Sequence, residues 1–235
     1  MSTRYITDIK KKKKKNPVVS FAILAAGAGS KIKSYEPRSL IKIRGKNLIE
    51  HQIEALGESL PDAEVITVVG CHAPRVTRRV RDKCRVVENQ LHEKSNSSES
   101  LRLAFNNTTS NRFMFCHGDI LFNPESLMVD YSKSFVIVDK SGMIKDTEVG
   151  ITMNDEKLSI MSYGLPIKWG QIAYFTGKEH RILKSILQKF EGKDKNRLSF
   201  EIINEVASNG GAFNCYEPAG MKILEIDRIK DKEGW

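Results

Sequence analysis

The stretch FAILAAGAGSKIKSYEPRSLIKIRGK, residues 21–46, decides the fold class of this chain of 235 residues. It opens with an unbroken apolar run, which is typical of a strand that is buried on both faces of a parallel sheet. The run ends in small residues with Gly27 and Gly29, and basic residues follow from Lys31 onward. We therefore interpret the stretch as a first core strand followed by the loop at its carboxyl end.

Outward from this stretch, the first half of the chain alternates strand patterns with helix patterns. The predicted strands are EVITVVG, CRVVEN and RFMFCHGD, and the predicted helices are NLIEHQIEALGES, APRVTRRVRDK, SESLRLAFNNT and NPESLMVDY, the last starting at an N-cap asparagine. This alternation predicts an α/β fold, a three-layer α/β/α sandwich around a mostly parallel central mixed sheet.

The second half has a different pattern, with four strands that no long helix separates. These strands, SFVIVD, EVGITMN, KLSIMSY and QIAYFTG, predict a small mixed or antiparallel extension of the sheet. Two helices follow, KEHRILKSILQKF and SFEIINEVASNG, the second of which we expect Ser199 to cap. The strands AFNCYEP and MKILEID close the chain. We expect one domain over residues 17–235, after a disordered lysine-rich tail at residues 1–16.

The net charge of +9 raises the question of a polyanionic partner. Lys10–Lys15 supply six of these charges, which leaves +3 for the remainder. A lysine run is typical of a solvated tail, so we expect no contact with nucleic acid except through that tail. No apolar run suits membrane insertion or a signal peptide, and no cysteine pair has CxxC spacing. We expect a cytoplasmic protein, and a homodimer is left open.

The glycines and cations of the opening loop suit a bound polyphosphate. Glycine allows a ligand to approach the backbone, and successive N–H groups form an anion-binding concavity. An ordinary strand-to-loop connection explains Gly27 and Gly29 equally well. The loop matches neither the GxxxxGK[ST] phosphate loop nor the GxGxxG dinucleotide motif.

Five segments in order resemble the nucleotidyltransferase family. LAAGAGSKIKSYEPRSLIKIRGKNLI resembles the signature LAAGxGxR…PKxL…GxxLI, and VVGC resembles the end of the second strand of that family. VVENQLHEKSNSSESLRLA is similar to NPxYxxTNNxxSLxxA of the cytidylyltransferases that act on choline phosphate and related small phosphates. HGDILF resembles the metal-binding strand end, and LEIDRIKD resembles the closing element EIDxxxD.

The resemblance implies a Rossmann-like fold of the GT-A type and a transfer reaction. A nucleoside monophosphate, CMP from CTP in the favoured case, would pass to a small phosphorylated acceptor such as phosphocholine or a sugar phosphate, with release of pyrophosphate. Mg²⁺ is the expected cofactor, since it favours oxygen ligands and binds substrate phosphates. The expected metal ligands are Asp119 and Asp227.

The resemblance also assigns the other site residues. Lys31, Arg38 and Asp119 are the expected catalytic residues. Relatives carry arginine at the position of Lys31 and lysine at the position of Arg38. They also tend to carry lysine at the position of Tyr163, and Lys157 or Lys168 would substitute for that lysine here. The expected nucleotide-binding residues are Leu24, Ala25, Ala26, Gly27, Ala28, Gly29, Ser30, Gly70, Asn96, Ser100 and Gly118. The expected acceptor-binding residues are Tyr163, Trp169, Tyr174 and Glu201. The aromatic faces of the first three suit a quaternary ammonium, and Glu201 resembles a glutamate of the family near this region.

Two other functions remain open at this point. A glycosyltransferase of related fold would use a nucleotide sugar, but such enzymes normally present a DxD motif, and Asp119 stands alone here. The three departures from the family pattern also suit a nucleotide-binding regulator with weak catalysis.

Overall fold

A computed structural model describes residues 19–27, 37–142 and 144–226, and a central mixed sheet organises them. The strands of the described residues are, in chain order, β1 (Ser20–Ala25), β2 (Lys42–Ile43), β3 (Lys46–Asn47), β4 (Glu64–Val69), β5 (Arg85–Glu88), β6 (Phe113–His117), β7 (Ile120–Phe122), β8 (Phe135–Asp139), β9 (Val149–Asn154), β10 (Lys157–Tyr163), β11 (Ile167–Phe175), β12 (Asn214–Tyr216) and β13 (Ile223–Glu225).

Nine of these described strands form the central sheet in the order β5-β4-β1-β6-β11-β8-β12-β10-β9. β5, β4, β1 and β6 run parallel, as the alternation in the first half predicts. β11 joins β6 in antiparallel orientation, and β9 and β10 form an antiparallel pair at the far edge. The predicted mixed sheet and its second-half extension are therefore confirmed.

Five α-helices of the described residues cover the two faces of the sheet. They are α1 (Leu48–Ser59), α2 (Ala73–Val80), α3 (Ser97–Asn106), α4 (Gly177–Gln188) and α5 (Ser199–Ser208). The alternation of β1 separates two cores, because Ala22 and Leu24 pack with α3, α4 and α5, whereas Phe21 and Ile23 pack with α1 and α2. The predicted three-layer α/β/α sandwich is confirmed.

Two local predictions differ from the structure, and the last strand has a separate partner. Pro124–Leu127 is a single 3₁₀ turn rather than a longer helix. Ser199 is the first residue of α5 and not its cap, because the Glu201 carboxylate accepts a hydrogen bond from Leu198 N at 2.6 Å and satisfies that N–H group. β13 pairs with β7 in a separate two-stranded sheet, so the last described strand lies outside the central sheet.

None of the described helices combines the length and the apolar character that a membrane span requires.

Candidate active site

The carboxyl ends of β1, β4 and β6 meet at one edge of the sheet. Gly118 N donates to Leu24 O at 2.9 Å, and Cys71 N donates to Ala26 O at 3.0 Å. A Cβ atom on Gly118 would lie 2.7 Å from Ala25 Cα, and one on Gly70 would lie 2.7 Å from Ala26 O. Both glycines therefore allow neighbouring strand ends to approach more closely than any other residue permits.

This edge brings together the described members of the predicted nucleotide-binding set on β1, β4 and β6. They are Leu24, Ala25, Ala26, Gly27, Gly70 and Gly118. Ligands of open α/β sheets bind outside such carboxyl ends. The predicted residues Ala28, Gly29, Ser30 and Lys31 lie outside the described residues.

The predicted base-binding segment folds around a buried asparagine. Asn96 is exposed and begins α3, with its Oδ1 accepting from Ser97 N at 3.0 Å. Ser100 is buried and accepts from Asn89 Nδ2 at 3.2 Å. Asn89 also donates to Ser95 Oγ and accepts from Leu91 N, so this one side chain ties β5 to α3. Sequence reasoning assigned Asn89 no role.

Asp119 follows β6 and pairs with Arg38, which begins a short 3₁₀ helix. Arg38 Nη1 donates to Asp119 Oδ2 at 2.5 Å, and the two side chains are 14% and 22% exposed. The other carboxylate oxygen of Asp119, Oδ1, is buried and has no hydrogen-bond partner within the described residues. Such a buried oxygen is costly unless a further ligand satisfies it.

The chemistry of Asp119 fits a divalent cation, since a buried carboxylate oxygen that lacks a partner is a ligand that Mg²⁺ favours. Within the described ranges, no group of three His, Cys, Asp or Glu side chains is arranged to hold a metal ion. β13 returns the chain to this point, because Ile226 N donates to Asp119 O at 2.8 Å. The second predicted ligand, Asp227, is the next residue in sequence and lies outside the described residues.

A cavity of about 230 Å³ opens beside Asp119. β11, the end of β10 and the start of α5 supply much of its wall. Its charged and aromatic lining includes Arg38, Glu148, Tyr163, Lys168, Trp169 and Glu225. Asp119 lines this cavity and directly follows Gly118, so Asp119 lies between the cavity and the edge where β1 and β6 end.

A known protein family matches the part of the chain that contains this edge. Residues 21–135 match the MobA-like NTP transferase domain. These 115 of the 235 residues are similar to that domain. The matched residues include most of β1, the Arg38–Asp119 pair and Asn89, whereas the strands that line much of the cavity follow them.

Solved structures share the fold of this chain along most of its length. The CTP:phosphocholine cytidylyltransferase of Streptococcus pneumoniae aligns with a TM-score of 0.72 and 21% identity, over 92% of this chain and 96% of that chain. The inositol-1-phosphate CTP transferase of T. maritima aligns with a TM-score of 0.75 and 19% identity, over 92% of each chain.

Curated relatives are similar over a shorter segment. The bifunctional protein GlmU of Koribacter versatilis is 38% identical over 61 residues, and that of Caulobacter vibrioides is 41% identical over 61 residues. In both cases the segment is 26% of this chain and 13% of the relative, so the shared segment spans about an eighth of these longer proteins.

Two of the four predicted acceptor residues line the cavity. Tyr163 is 50% exposed and packs edge-on against Phe200, with ring centroids 5.7 Å apart. Burial, and then the charges of Glu201 and Glu225, raise the pKa of the Tyr163 hydroxyl. Trp169 is almost fully buried, and its Nε1 donates to Ile172 O at 3.2 Å.

The structure places the other two predicted acceptor residues elsewhere, which corrects their assignment. Tyr174 is fully buried among apolar side chains on the α1 and α2 face, where its hydroxyl donates to Tyr131 O at 3.2 Å. Glu201 is engaged with Leu198 N at the start of α5 and is not part of the cavity lining.

Sequence reasoning missed Glu148, His117 and Ser199, whose polar side chains line the cavity. Lys168 Nζ donates to Glu148 Oε1 at 2.8 Å, and only 9% of the Glu148 side chain is exposed. His117 Nε2 lies 2.7 Å from Ser199 Oγ, and burial lowers the pKa of this imidazole. Of the two predicted substitutes for the family lysine, Lys168 lines the cavity, whereas Lys157 is exposed on β10 and is not in that lining.

Proposed function

We propose that this chain transfers CMP from CTP to a small phosphorylated acceptor and releases pyrophosphate. The observation that carries the proposal is the position of Asp119. Its Oδ1, which lacks a partner among the described residues, lies where the nucleotide edge of β1 and β6 meets a cavity of about 230 Å³. A carboxylate at this junction would lie near the phosphates of both substrates, which is why the proposal rests on Asp119.

The nucleotide side consists of the close-packed strand ends and Arg38. Gly70 and Gly118 allow the strand ends that form this edge to pack closely, and Arg38 supplies a guanidinium that neutralises phosphate charge. Two observations favour CTP over other nucleotides. The segment at residues 86–104 resembles that of choline-phosphate-type cytidylyltransferases, and two structures of the same fold belong to CTP-dependent enzymes by name.

Asp119 and Asp227 would hold Mg²⁺. When bound, this ion would offset the negative charge that develops on the phosphates.

The chain's own residues serve mainly to align the reactants. An acceptor phosphate oxygen forms a bond to the α-phosphorus of CTP, and the bond from that phosphorus to the bridging oxygen breaks as pyrophosphate leaves. Because the acceptor phosphate is already ionised near neutral pH, no strong general base is required. Catalysis then depends on positioning and on cations near the transferred group, for which Arg38 and Lys168 are placed at the cavity.

The size of the cavity limits the acceptor to a small molecule. About 230 Å³ lies below the range of about 300–1,000 Å³ that is usual for drug-sized ligands. Phosphocholine or one sugar phosphate suits this volume, and a nucleic acid or a protein acceptor does not. The half-exposed ring of Tyr163 and the carboxylate of Glu148 suit a cationic or hydroxyl-bearing end of such an acceptor.

Pyrophosphate release tests the proposal. Purified protein is incubated with Mg²⁺, each of the four common NTPs and a panel of phosphocholine, phosphoethanolamine, glucose 1-phosphate and inositol 1-phosphate. We expect release with CTP and one acceptor, loss of that release in Asp119→Asn, and no change in the matched control Asp130→Asn, which alters an exposed aspartate. Release with another NTP in place of CTP would contradict the choice of nucleotide, and no release from any pair would contradict the transferase.

A further inference from the structure

One side chain in the wall of the cavity has a strained backbone. Gln171 has a φ of +58°, in the left-handed region that disfavours every residue with a side chain. Among the described residues other than glycine, four more have a positive φ, and all four lie in connections between elements: Arg44, His72, Asp155 and Glu156. Gln171 differs from these four because it lies inside a strand, β11.

The strain belongs to a bulge that interrupts the pairing of β11. Trp169 lies opposite Val138 and Ala173 lies opposite Val136, so four steps along β11 match two steps along β8. The Trp169 indole donates to Ile172 O at 3.2 Å and closes the bulge. Gln171 lies within this interruption, next to the carboxyl end of β6. Bulges of this kind are common beside active sites, where they re-aim a side chain.

Position 171 would suit glycine better than glutamine on conformational grounds. Glycine enters the left-handed region without the steric cost that glutamine meets. Strain of this kind persists only where the surrounding structure enforces it, and it clusters at active sites and ligand clamps. The side chain of Gln171 therefore contributes something to this wall that glycine could not supply.

The Gln171 side chain belongs to a connected set of polar groups. It hydrogen-bonds to the ring of His117, whose Nε2 lies 2.7 Å from Ser199 Oγ. The backbone N of Ser199 donates to Ser97 Oγ at 2.8 Å. The ring of Trp169 packs edge-on against His117, with centroids 5.4 Å apart. These contacts hold the Gln171 amide at the cavity wall before any ligand binds.

Given the transferase function proposed for this cavity, we propose that the Gln171 amide binds a hydroxyl group of the acceptor. The site would then select a polyol phosphate or a sugar phosphate over phosphocholine. A primary amide carries two donors and an acceptor, so it can pair with both the hydrogen and the oxygen of a hydroxyl group. A quaternary ammonium has neither a donor nor an acceptor and gains nothing from an amide.

The charges of the cavity also favour a neutral hydroxyl group over a cation. Glu148 accepts a hydrogen bond from Lys168 Nζ at 2.8 Å, and Asp119 is paired with Arg38. A quaternary ammonium would therefore meet two carboxylates that cations already neutralise. The phosphate of the acceptor, in contrast, would find Arg38 and Lys168 in the same wall.

The aromatic lining offers little surface for a quaternary ammonium. Such a group is held by cages of aromatic faces. Of the Phe, Trp and Tyr rings in the lining, Trp169 and Phe200 are buried and Tyr163 is half-exposed. A single exposed ring does not form a cage, so the polar set around Gln171 is the more specific feature of the wall.

The test compares two glycine variants. Gln171→Gly removes the side chain and relieves the strain. Its matched control, Glu156→Gly, removes a side chain at a φ of +61° in the exposed turn between β9 and β10. Pyrophosphate release is measured with Mg²⁺ and CTP, and with glucose 1-phosphate, inositol 1-phosphate or phosphocholine as the acceptor. The melting temperature of each protein is measured alongside.

We expect Gln171→Gly to raise the KM for the hydroxyl-bearing acceptor about tenfold, the size of one hydrogen bond, and to leave the KM for CTP unchanged. It should melt close to the wild type, because relief of the strain offsets the lost contact with His117. Gln171→Asn keeps an amide and suits the left-handed region, so it should recover part of the lost kcat/KM. Glu156→Gly should match the wild type in both Michaelis constants.

Three kinetic outcomes would overturn the inference. Preference of the wild type for phosphocholine over both hydroxyl-bearing acceptors would refute the choice of acceptor. An unchanged KM for the acceptor in Gln171→Gly would refute the role of the amide. Equal rises in both Michaelis constants, together with a lower melting temperature, would make Gln171 a structural residue.

A binding measurement separates this role of Gln171 from the transferase function. Titration calorimetry with each acceptor, in the presence of Mg²⁺ and a non-hydrolysable CTP analogue, requires no turnover. If the wild type bound a hydroxyl-bearing acceptor about tenfold more tightly than Gln171→Gly but released no pyrophosphate, the transferase would be wrong and the role of Gln171 would stand. If the wild type bound none of the three acceptors, the role of Gln171 would be refuted.

Discussion

Arg38 Nη1 lies 2.5 Å from Asp119 Oδ2, and this ion pair joins the residue after the opening loop to the end of β6, 81 positions along the chain. The two groups have different proposed partners, phosphate for Arg38 and Mg²⁺ for Asp119. In the structure they neutralise each other at the mouth of the cavity. Nucleotide and metal would replace this pair with separate partners.

The first prediction concerns this pair. Asp119→Asn keeps the shape of the side chain but removes its charge, and we expect it to reduce turnover by about a thousandfold or more, since metal charge stabilisation supplies several kcal/mol. Arg38→Lys keeps a cation but loses the planar fork, and we expect a loss of about 10–100-fold in kcat/KM, equivalent to one charged hydrogen bond of about 1.5–3 kcal/mol. Both are measured by pyrophosphate release.

An exposed pair provides the control for these two variants. Arg81→Lys and Asp82→Asn alter an arginine and an aspartate that lie 3.8 Å apart in solvent, and they should leave kcat/KM unchanged. If Asp119→Asn retained full metal-dependent turnover, Asp119 would not be the metal ligand.

The second prediction concerns the close approach of β6 to β1. Gly118→Ala places a Cβ 2.7 Å from Ala25 Cα and 2.9 Å from Leu24 O, so the backbone at the nucleotide edge must move. We expect a cost of about 1–3 kcal/mol in the free energy of unfolding and a weaker affinity for CTP. Urea unfolding and CTP titration measure the two effects.

Gly57→Ala is the matched control for Gly118→Ala. Gly57 is exposed within α1, and a Cβ there meets nothing within 4 Å. The same change should stabilise the protein by up to about 1 kcal/mol, because alanine favours a helix over glycine. Equal effects of the two variants would show that the close packing of Gly118 against β1 is unimportant.

Local sequence patterns predicted the first half of the fold well, because each of its strands and helices is specified by residues that are adjacent in the sequence. β1 is an unbroken apolar run, and α1 has helical spacing of apolar residues that tertiary packing then uses without change. The position of Gly118 and Asp119 at a strand end was predicted from the apolar run that precedes them. The 3₁₀ turn after Asn123 was predicted as a longer helix because a favourable start does not specify where a helix ends.

The cavity could not be predicted in the same way, because long-range strand pairing assembles it. Lys168 reaches Glu148 only because β11 pairs with the start of β9, with Lys168 opposite Gly150. The error at Tyr174 was avoidable. Side chains alternate along a strand, so Trp169 and Tyr174, five positions apart, lie on opposite faces of β11. The strand period therefore argues against both rings lining one cavity.

The third prediction is a pH dependence of stability at the Glu148–Lys168 pair. Burial alone would raise the pKa of Glu148, but hydrogen bonds from Lys168 and the Lys145 amide outweigh it and hold the pKa below 4.5. Because the pKa of Glu148 is depressed in the folded state, its ionised carboxylate stabilises the fold. This stabilisation is fully present above about pH 4.5 and is lost as pH falls through the folded-state pKa. Glu148→Gln should therefore cost about 1.5–3 kcal/mol at neutral pH and progressively less in acid.

Urea unfolding of the wild type and Glu148→Gln at a series of pH values measures this difference. Glu88→Gln is the control, since Glu88 is an exposed carboxylate at the end of β5, away from the Glu148–Lys168 pair. If the difference in the free energy of unfolding between wild type and Glu148→Gln stayed constant from neutral pH into acid, the charge of Glu148 would not be its source.

The last prediction concerns Asn89, the buried side chain that organises the proposed base-binding segment. Asn89→Ala removes the amide group that donates to Ser95 and Ser100 and the oxygen that accepts from Leu91 N. The change is confined to this side chain. We expect a loss of about 1–3 kcal/mol in the free energy of unfolding, because buried polar groups lose their partners. We also expect a raised KM for CTP with little change in the KM for the acceptor, since the acceptor cavity lies elsewhere.

Asn106→Ala separates this effect from a general weakening of α3. Asn106 is the exposed last residue of that helix, so its change to alanine should alter neither stability nor the KM for CTP by much. Unfolding in urea and steady-state kinetics at saturating acceptor give the comparison. A rise in both Michaelis constants in Asn89→Ala would indicate that the whole domain had loosened, and an unchanged KM for CTP would remove residues 89–96 from the nucleotide site.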